Sequence, residues 1–244
     1  MHTLRHLLAA LVLALGSAAA TATVVIDNFA DATVTGFSSF GLSESTAAQA
    51  GSMIGGGRFE GLLCFFACDY NPPYSAALTV GRGALIVKPP PAGLATTRVL
   101  WGNVSIGGVF PFAPLGLMLT GEDAFQLQFG AVSGDLLVQF VVVSAAGQSV
   151  YSPLPNNPGV VLRAAAVQTL TLPFSAFVGQ AGWADVSGLG VVLGGNNGHG
   201  TEAALASFTL TSVTAVTAVP EPGSSVLLPA GLLAMAGARW RRRR

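Results

Sequence analysis

Apolar and polar residues alternate along most of this chain in runs too short, and too often interrupted, for helices. Phe125, Leu127 and Phe129 alternate with Gln126 and Gln128, the period of two that marks a half-buried strand. The runs 24–29, 77–80, 84–88, 98–106, 116–119, 168–172, 189–193 and 207–213 read the same way, bounded by Gly, Pro, Asn or Asp. Residues 136–144 are apolar at nearly every position, as in a central strand covered on both faces. Gly81-Arg82-Gly83, between two such runs, reads as a tight hairpin. Pro89-Pro90-Pro91 and the segment 152–158 read as loops, because proline cannot donate to a sheet ladder. No amphipathic helix with start and stop signals is present between the two ends. The pattern predicts an all-β fold: a single β-sandwich of jelly-roll type with eight or nine strands.

The two ends follow different rules. His2, Arg5 and His6 precede an apolar core at 7–15 and the small residues Ala18-Ala19-Ala20, with Ala20-Thr21-Ala22 as an alternative cleavage site. This is the layout of a secretory signal peptide over residues 1–22, read by the Sec translocon and a signal peptidase, and it is too short for a spanning helix. Residues 219–244 begin with Val219-Pro220-Glu221-Pro222, whose two prolines can continue neither strand nor helix and so form an exposed stalk. An apolar stretch of 13 residues, 226–238, follows, and Arg239, Trp240, Arg241, Arg242, Arg243 and Arg244 close the chain. At ~1.5 Å per residue the stretch spans about 20 Å as a short transmembrane helix, against roughly 30 Å of hydrocarbon. Pro229, Gly231 and Gly237 weaken that helix further. The arginines favour the cytoplasmic side. A bland alternative is an ordinary membrane anchor after a proline-rich linker.

The order of Pro-Glu-Pro, apolar span and arginine end resembles the PEP-CTERM sorting signal of exported proteins of Gram-negative bacteria. The resemblance covers residues 219–244 only. It implies recognition by an exosortase, a membrane-embedded cysteine transpeptidase, with Pro220, Glu221 and Pro222 as its substrate residues. Arg239 and Arg241 to Arg244 would hold the end in the cytoplasm. It also implies transient residence in the inner membrane, then the cell surface or extracellular matrix, in association with exopolysaccharide or biofilm.

Setting the ends aside changes the charge. The chain as a whole is formally neutral, but between residues 23 and 219 five bases stand against ten acids, leaving −5. Such a domain has no electrostatic case for nucleic acid or an anionic membrane surface. Residues 23–218 are long enough for one domain with a core of its own.

Within that domain, the segment from Leu172 through Trp183-Ala184-Asp185-Val186 to Phe208-Thr209-Leu210 is similar to the closing strands of galactose-binding-like jelly rolls. Asp27-Asn28-Phe29 and Met53 through Arg58 look like their opening. Sandwiches of this type often bind sugars, and many only scaffold. The stretch 62–74 departs from that pattern and reads as an inserted loop. It holds Cys64 and Cys68, which in an oxidising compartment favour a local disulfide worth only about 2 kcal/mol, because the closed loop is tiny. A redox pair needs two intervening residues where three stand, and a zinc site needs more ligands than His199 supplies.

Candidate chemistry is sparse. Gly194 to Gly200 is glycine-rich but leads to a strand rather than a helix N-terminus, so a phosphate cradle does not follow. Its Asn oxygens suit calcium, yet the dense Asp spacing of a calcium loop is missing, and no cofactor or metal site is expected. Glu122-Asp123 falls in a turn, and neighbours on a strand point to opposite faces, so they do not form a glycosidase pair. Thr-x-Thr at 33/35, 169/171 and 209/211 has no constant period, which argues against a regular ice-binding lattice. Asn103-Val104-Ser105 forms a glycosylation sequon, but in a bacterium a chance match is the better reading. The expectation is an exported, non-enzymatic surface or matrix protein. The alternative is a carbohydrate-binding module using Tyr70, Tyr74, Trp101, Tyr151 or Trp183 as stacking platforms; an ice-binding protein or an envelope hydrolase ranks below both.

Overall fold

The computed structural model describes residues 23–31, 35–39, 44–66, 76–89, 94–104, 112–154, 158–194 and 207–217. All of them belong to one compact unit, Ala22–Thr217. The other unit, Met1–Thr21 with Ala218–Arg244, lies outside the described residues, and with it the expected signal peptide, Pro220-Glu221-Pro222, the C-terminal helix and the arginine end. Among the described residues no helix is long and apolar enough to cross a membrane.

The unit is an all-β sandwich of two antiparallel sheets. Numbered in chain order, the first sheet holds β1 (Thr23–Asp27), β2 (Thr35–Ser39), β5 (Ala76–Gly81), β6 (Ala84–Lys88), β8 (Ala124–Ser133), β12 (Gln168–Pro173) and β15 (Ser207–Val216). Their order is β12-β8-β15-β6-β5-β2, and β1 shares with β6 one edge of β15. The second sheet holds β3 (Glu44–Ala50), β4 (Gly57–Phe66), β7 (Leu94–Gly102), β9 (Leu136–Ser144), β10 (Gly147–Tyr151), β11 (Val160–Leu162), β13 (Phe177–Gly179) and β14 (Val186–Leu193). Its order is β13-β10-β9-β14-β7-β4-β3, with β11 beside the first half of β9.

Alternation decides which side chains meet between the sheets. Phe125, Leu127 and Phe129 of β8 point inward at 0% exposure, with Gln126 and Gln128 on the outer face. Facing them, β9 sends in Leu136, Val138, Phe140 and Val142. Leu137 and Val141, on the opposite face of β9, are buried as well, in keeping with the unbroken apolar run. The hairpin at 81–84 forms as expected: Gly81 pairs with Ala84, and Arg82 and Gly83 take φ of 56° and 85°. Positive φ at both turn residues matches the right-handed twist of the flanking strands.

Three expectations need correction. Fifteen strands stand among the described residues rather than eight or nine. The additional ones include Thr35–Ser39 and Glu44–Ala50, whose Ser, Thr, Ala and Gly carry little apolar contrast. The supposed insertion at 62–74 begins inside a strand, since β4 runs to Phe66 and pairs with β7 on one side and β3 on the other. Residues 116–119 form no strand; Leu117 makes an isolated bridge to Val186.

Candidate functional site

The most concentrated chemistry lies around Arg58, on a core-facing position of β4. Its side chain is fully buried, yet it carries a charge that burial alone would make costly. Three carboxylates and an amide meet it. One terminal nitrogen, Nη1, donates to Asp27 Oδ2 at 3.1 Å and to Asp31 Oδ2 at 2.6 Å. The other, Nη2, donates to Gln49 Oε1 at 2.6 Å, and Nε donates to Glu60 Oε1. Burial works against the guanidinium charge, but Asp27, Glu60 and Asp31 together outweigh it and raise the pKa above its already high ordinary value. Arg58 is thus permanently charged.

Local structure places each partner. Asp27 Oδ1 accepts from the Phe29 amide at 2.7 Å, a turn in which an Asp side chain bonds the backbone two residues on. That turn holds Phe29 at φ 53°, unusual for a residue with a side chain, and lays its buried ring 5.3 Å from the Arg58 carbon. The indole of Trp101, on β7, donates to Asp27 Oδ2 at 2.9 Å. The hairpin between β5 and β6 joins through backbone bonds from Arg82 N to Asp31 O and from Gly83 N to Phe29 O. Gly51 must lack a side chain, because a Cβ there would collide with the Asp31 carboxylate. The network therefore ties β1 and the β5–β6 hairpin of one sheet to β3, β4 and β7 of the other.

This arrangement is structural chemistry, not catalytic. Asp27, Asp31 and Glu60 are held by one guanidinium, with Asp27 and Glu60 buried and Asp31 partly so. Asp123 and Asp185 are exposed on loops, and Glu122 accepts from Thr217 Oγ1 at 3.1 Å. Asp135 pairs with the exposed Arg163. Among the described residues no three His, Cys, Asp or Glu side chains converge as a metal site.

The stacking candidates separate. Trp101 is buried at 0% exposure and engaged with Asp27, so it offers no platform. Tyr151 is also buried; its ring meets Phe177 edge-on at 5.4 Å, and burial pushes its phenol above the ordinary 10.0. Both lie on core-facing positions, which is why they cannot reach a ligand. Trp183 keeps partial exposure, but Phe174 stacks on its ring at 3.9 Å and 3°. Tyr70 and Tyr74 lie outside the described residues. Cys64 is fully buried and disulfide-bonded, and Cys68 also lies outside. Of the glycine-rich loop only Gly194 is described, and His199 is not.

The outer face of the first sheet was not legible as a unit in the sequence. Strand register sets Thr171, Gln126 and Thr214 in one cross-strand row and Thr169, Gln128 and Ser212 in the next. A third row holds Ala131, Thr209, Ile86 and Thr79. These rows present hydroxyls and amides without a charge. Two register shifts in β15, on either side of Leu210, break the spacing along the strand that carries Thr209 and Thr211, and Thr33 lies outside the described residues. Over the third row, at Ala131, Thr209 and Ile86, a groove of about 320 Å³ opens where β6, β8 and β15 meet the segment at Ala165 and Ala166.

No protein-family model matches the sequence, and comparison with curated proteins finds no match. Among solved structures, the chain is similar to the family 11 carbohydrate-binding module from Clostridium thermocellum in complex with a β-1,3-1,4-mixed-linked tetrasaccharide. That likeness has 12% identity and a TM-score of 0.41, and covers 82% of this chain and 99% of that one. The family 11 carbohydrate-binding module of a cellulosomal cellulase of the same organism is similar at 12% identity and a TM-score of 0.40, covering 82% of this chain and 97% of that one.

Proposed function

We propose that this chain is an exported, non-enzymatic protein of the cell surface or matrix whose sandwich domain associates with extracellular polysaccharide. The observation that carries this reading is the outer face of the first sheet, where Thr169, Thr171, Gln126, Gln128, Ser212 and Thr214 stand in register. Strand-borne threonines are stiff at χ1, so their hydroxyls are held in place before a ligand arrives. Each glutamine amide both donates and accepts. A polyhydroxylated surface is the natural complement of such rows, whereas nucleic acid or an anionic bilayer needs a broad field of positive charge that this acidic domain lacks. The engagement of Asp27, Asp31 and Glu60 with Arg58 supports a binding role over hydrolysis.

The sorting tail belongs to the same proposal. Pro220-Glu221-Pro222, the short apolar span and the arginine end favour handling by an exosortase after export by Sec, with the inner membrane as a waypoint. No cofactor is needed for any step assigned to this chain. The test is co-sedimentation of the full chain, in mild detergent, with exopolysaccharide extracted from its own host. Retention above that of a soluble protein of equal negative charge is the expected result. Equal recovery of the two in the supernatant would sink the reading.

A further inference from the structure

The groove at the end of the first sheet differs from the rows beside it in one respect: it has a charge. Ile86, Lys88, Ala131, Ser133, Ser207 and Thr209 line it. They alternate with the buried Val87, Val132 and Phe208, so their side chains belong to the outer face of the sheet. The far wall is Ala165 and Ala166, held in place because Ala165 exchanges both backbone hydrogen bonds with Val132, at 2.9 and 3.0 Å.

Three kinds of group therefore converge. Small side chains, Ala131, Ala165 and Ala166, leave room over the sheet. Hydroxyls rim one side, where Ser133 Oγ and Ser207 Oγ lie 2.6 Å apart and the Ser207 amide donates to Ser133 Oγ at 3.3 Å. Lys88 is exposed and makes no ion pair among the described residues, while Arg163, two positions before Ala165 in the chain, is engaged with Asp135 at 3.1 Å. The groove's volume, about 320 Å³, is at the small end of ligand sites, which suits one sugar unit rather than an extended chain.

We propose that this groove binds a carboxylate-bearing sugar, a uronic acid unit of an extracellular polysaccharide. Lys88 meets the carboxylate, Ser133, Ser207 and Thr209 meet the ring hydroxyls, and the alanines accept the C–H face. The proposal rests on the polysaccharide reading above and adds a chemical class and a place to it. A phosphate would want a bidentate arginine or several amides, which this site lacks. A neutral sugar would leave the Lys88 charge unused. Lysine acts here as a point charge on a flexible stem, so it adds preference without demanding one fixed geometry.

The test is calorimetric titration of the full chain in mild detergent with a tetrasaccharide of alternating glucuronate and glucose, and with the same tetrasaccharide reduced at its carboxyls. The charged form is expected to bind about tenfold more tightly, the size of one hydrogen bond to a charged group. Lys88→Met should bring the two affinities together, Lys88→Arg should keep the preference, and Ala131→Trp should abolish binding of both forms with its thermal midpoint preserved. Equal affinity of the wild type for the two sugars, or an undiminished preference in Lys88→Met, overturns the site. If these variants hold host exopolysaccharide as well as the wild type does, the groove fails while the polysaccharide reading stands. If the wild type holds no polysaccharide at all, both fail together.

Discussion

The indole N–H of Trp101 donates to Asp27 Oδ2 at 2.9 Å, joining the middle of the chain to its first strand inside the core. Seventy-four positions separate the two residues. The bond explains why a tryptophan stands at a buried position that a phenylalanine could fill by volume: it donates to a carboxylate that is itself buried.

Replacing Trp101 by Phe therefore keeps most of the packing and removes one donor from a buried charge. The expected cost is about 1.5–3 kcal/mol, read as a lowered urea midpoint with an unchanged slope. No change in midpoint would mean that Asp27 does not depend on the indole.

Arg58→Met is expected to be worse. It leaves Asp27, Asp31 and Glu60 facing one another with no cation, and breaking a buried pair on one side costs about 3–5 kcal/mol. Adding Asp27→Asn to Arg58→Met should recover part of that loss. A strictly additive double variant in chemical denaturation would contradict the coupling. Arg58→Lys should rescue poorly, because one ammonium cannot reach the partners that Nε, Nη1 and Nη2 reach separately.

Tyr151 makes a prediction in alkaline solution. Its folded pKa is raised by burial, so below about pH 10 the phenol is neutral folded or unfolded and adds no pH dependence. Above that, the unfolded chain ionises first and stability falls as pH rises. Absorbance of tyrosinate in the native protein should show a late-titrating phase, and Tyr151→Phe should remove it. A titration curve left unchanged by Tyr151→Phe above about pH 10 would refute it.

On the outer face, Thr171→Val with Gln128→Met, which remove hydrogen-bonding groups without adding charge, should weaken retention on host exopolysaccharide by about tenfold, since two hydrogen-bonding positions are lost at about 0.5–1.5 kcal/mol each. Stability should stay within about 0.5 kcal/mol of the wild type, because both side chains are exposed. Retention equal to the wild type in co-sedimentation would move the binding surface elsewhere.

For the tail, intact-mass measurement of the protein from its native surface should show a new C-terminus near Pro220 to Pro222 and the signal peptide gone. Stable, surface-resident protein that still carries Arg244 would falsify the processing step.

How far each of these features could be read in advance depends on how local its cause is. The alternation from Phe125 to Phe129 was legible because a strand with one buried face changes character at successive residues, and the strand at 136–144 because one covered on both faces is apolar throughout. The edge strands Thr35–Ser39 and Glu44–Ala50 were not, since Ser, Thr, Ala and Gly suit either face and backbone pairing alone places them. Asp27, Phe29 and Arg58 were visible as a pattern, but their convergence was not. The only sign was Arg58 and Glu60 two positions apart on the inward face of an otherwise apolar strand. Trp101 and Tyr151 were visible as aromatics, and nothing local said that both point inward.

The sequence by itself determined an all-β domain, the faces of its best strands and the order of parts in its tail, because each depends on neighbours along the chain. Tertiary structure alone decided that Arg58 would gather Asp27, Asp31 and Glu60. It also decided that threonines from β12 and β15 would flank the glutamines of β8 in shared rows. Those meetings depend on strand order and register, which bring together residues dozens of positions apart and leave no periodic trace in the chain.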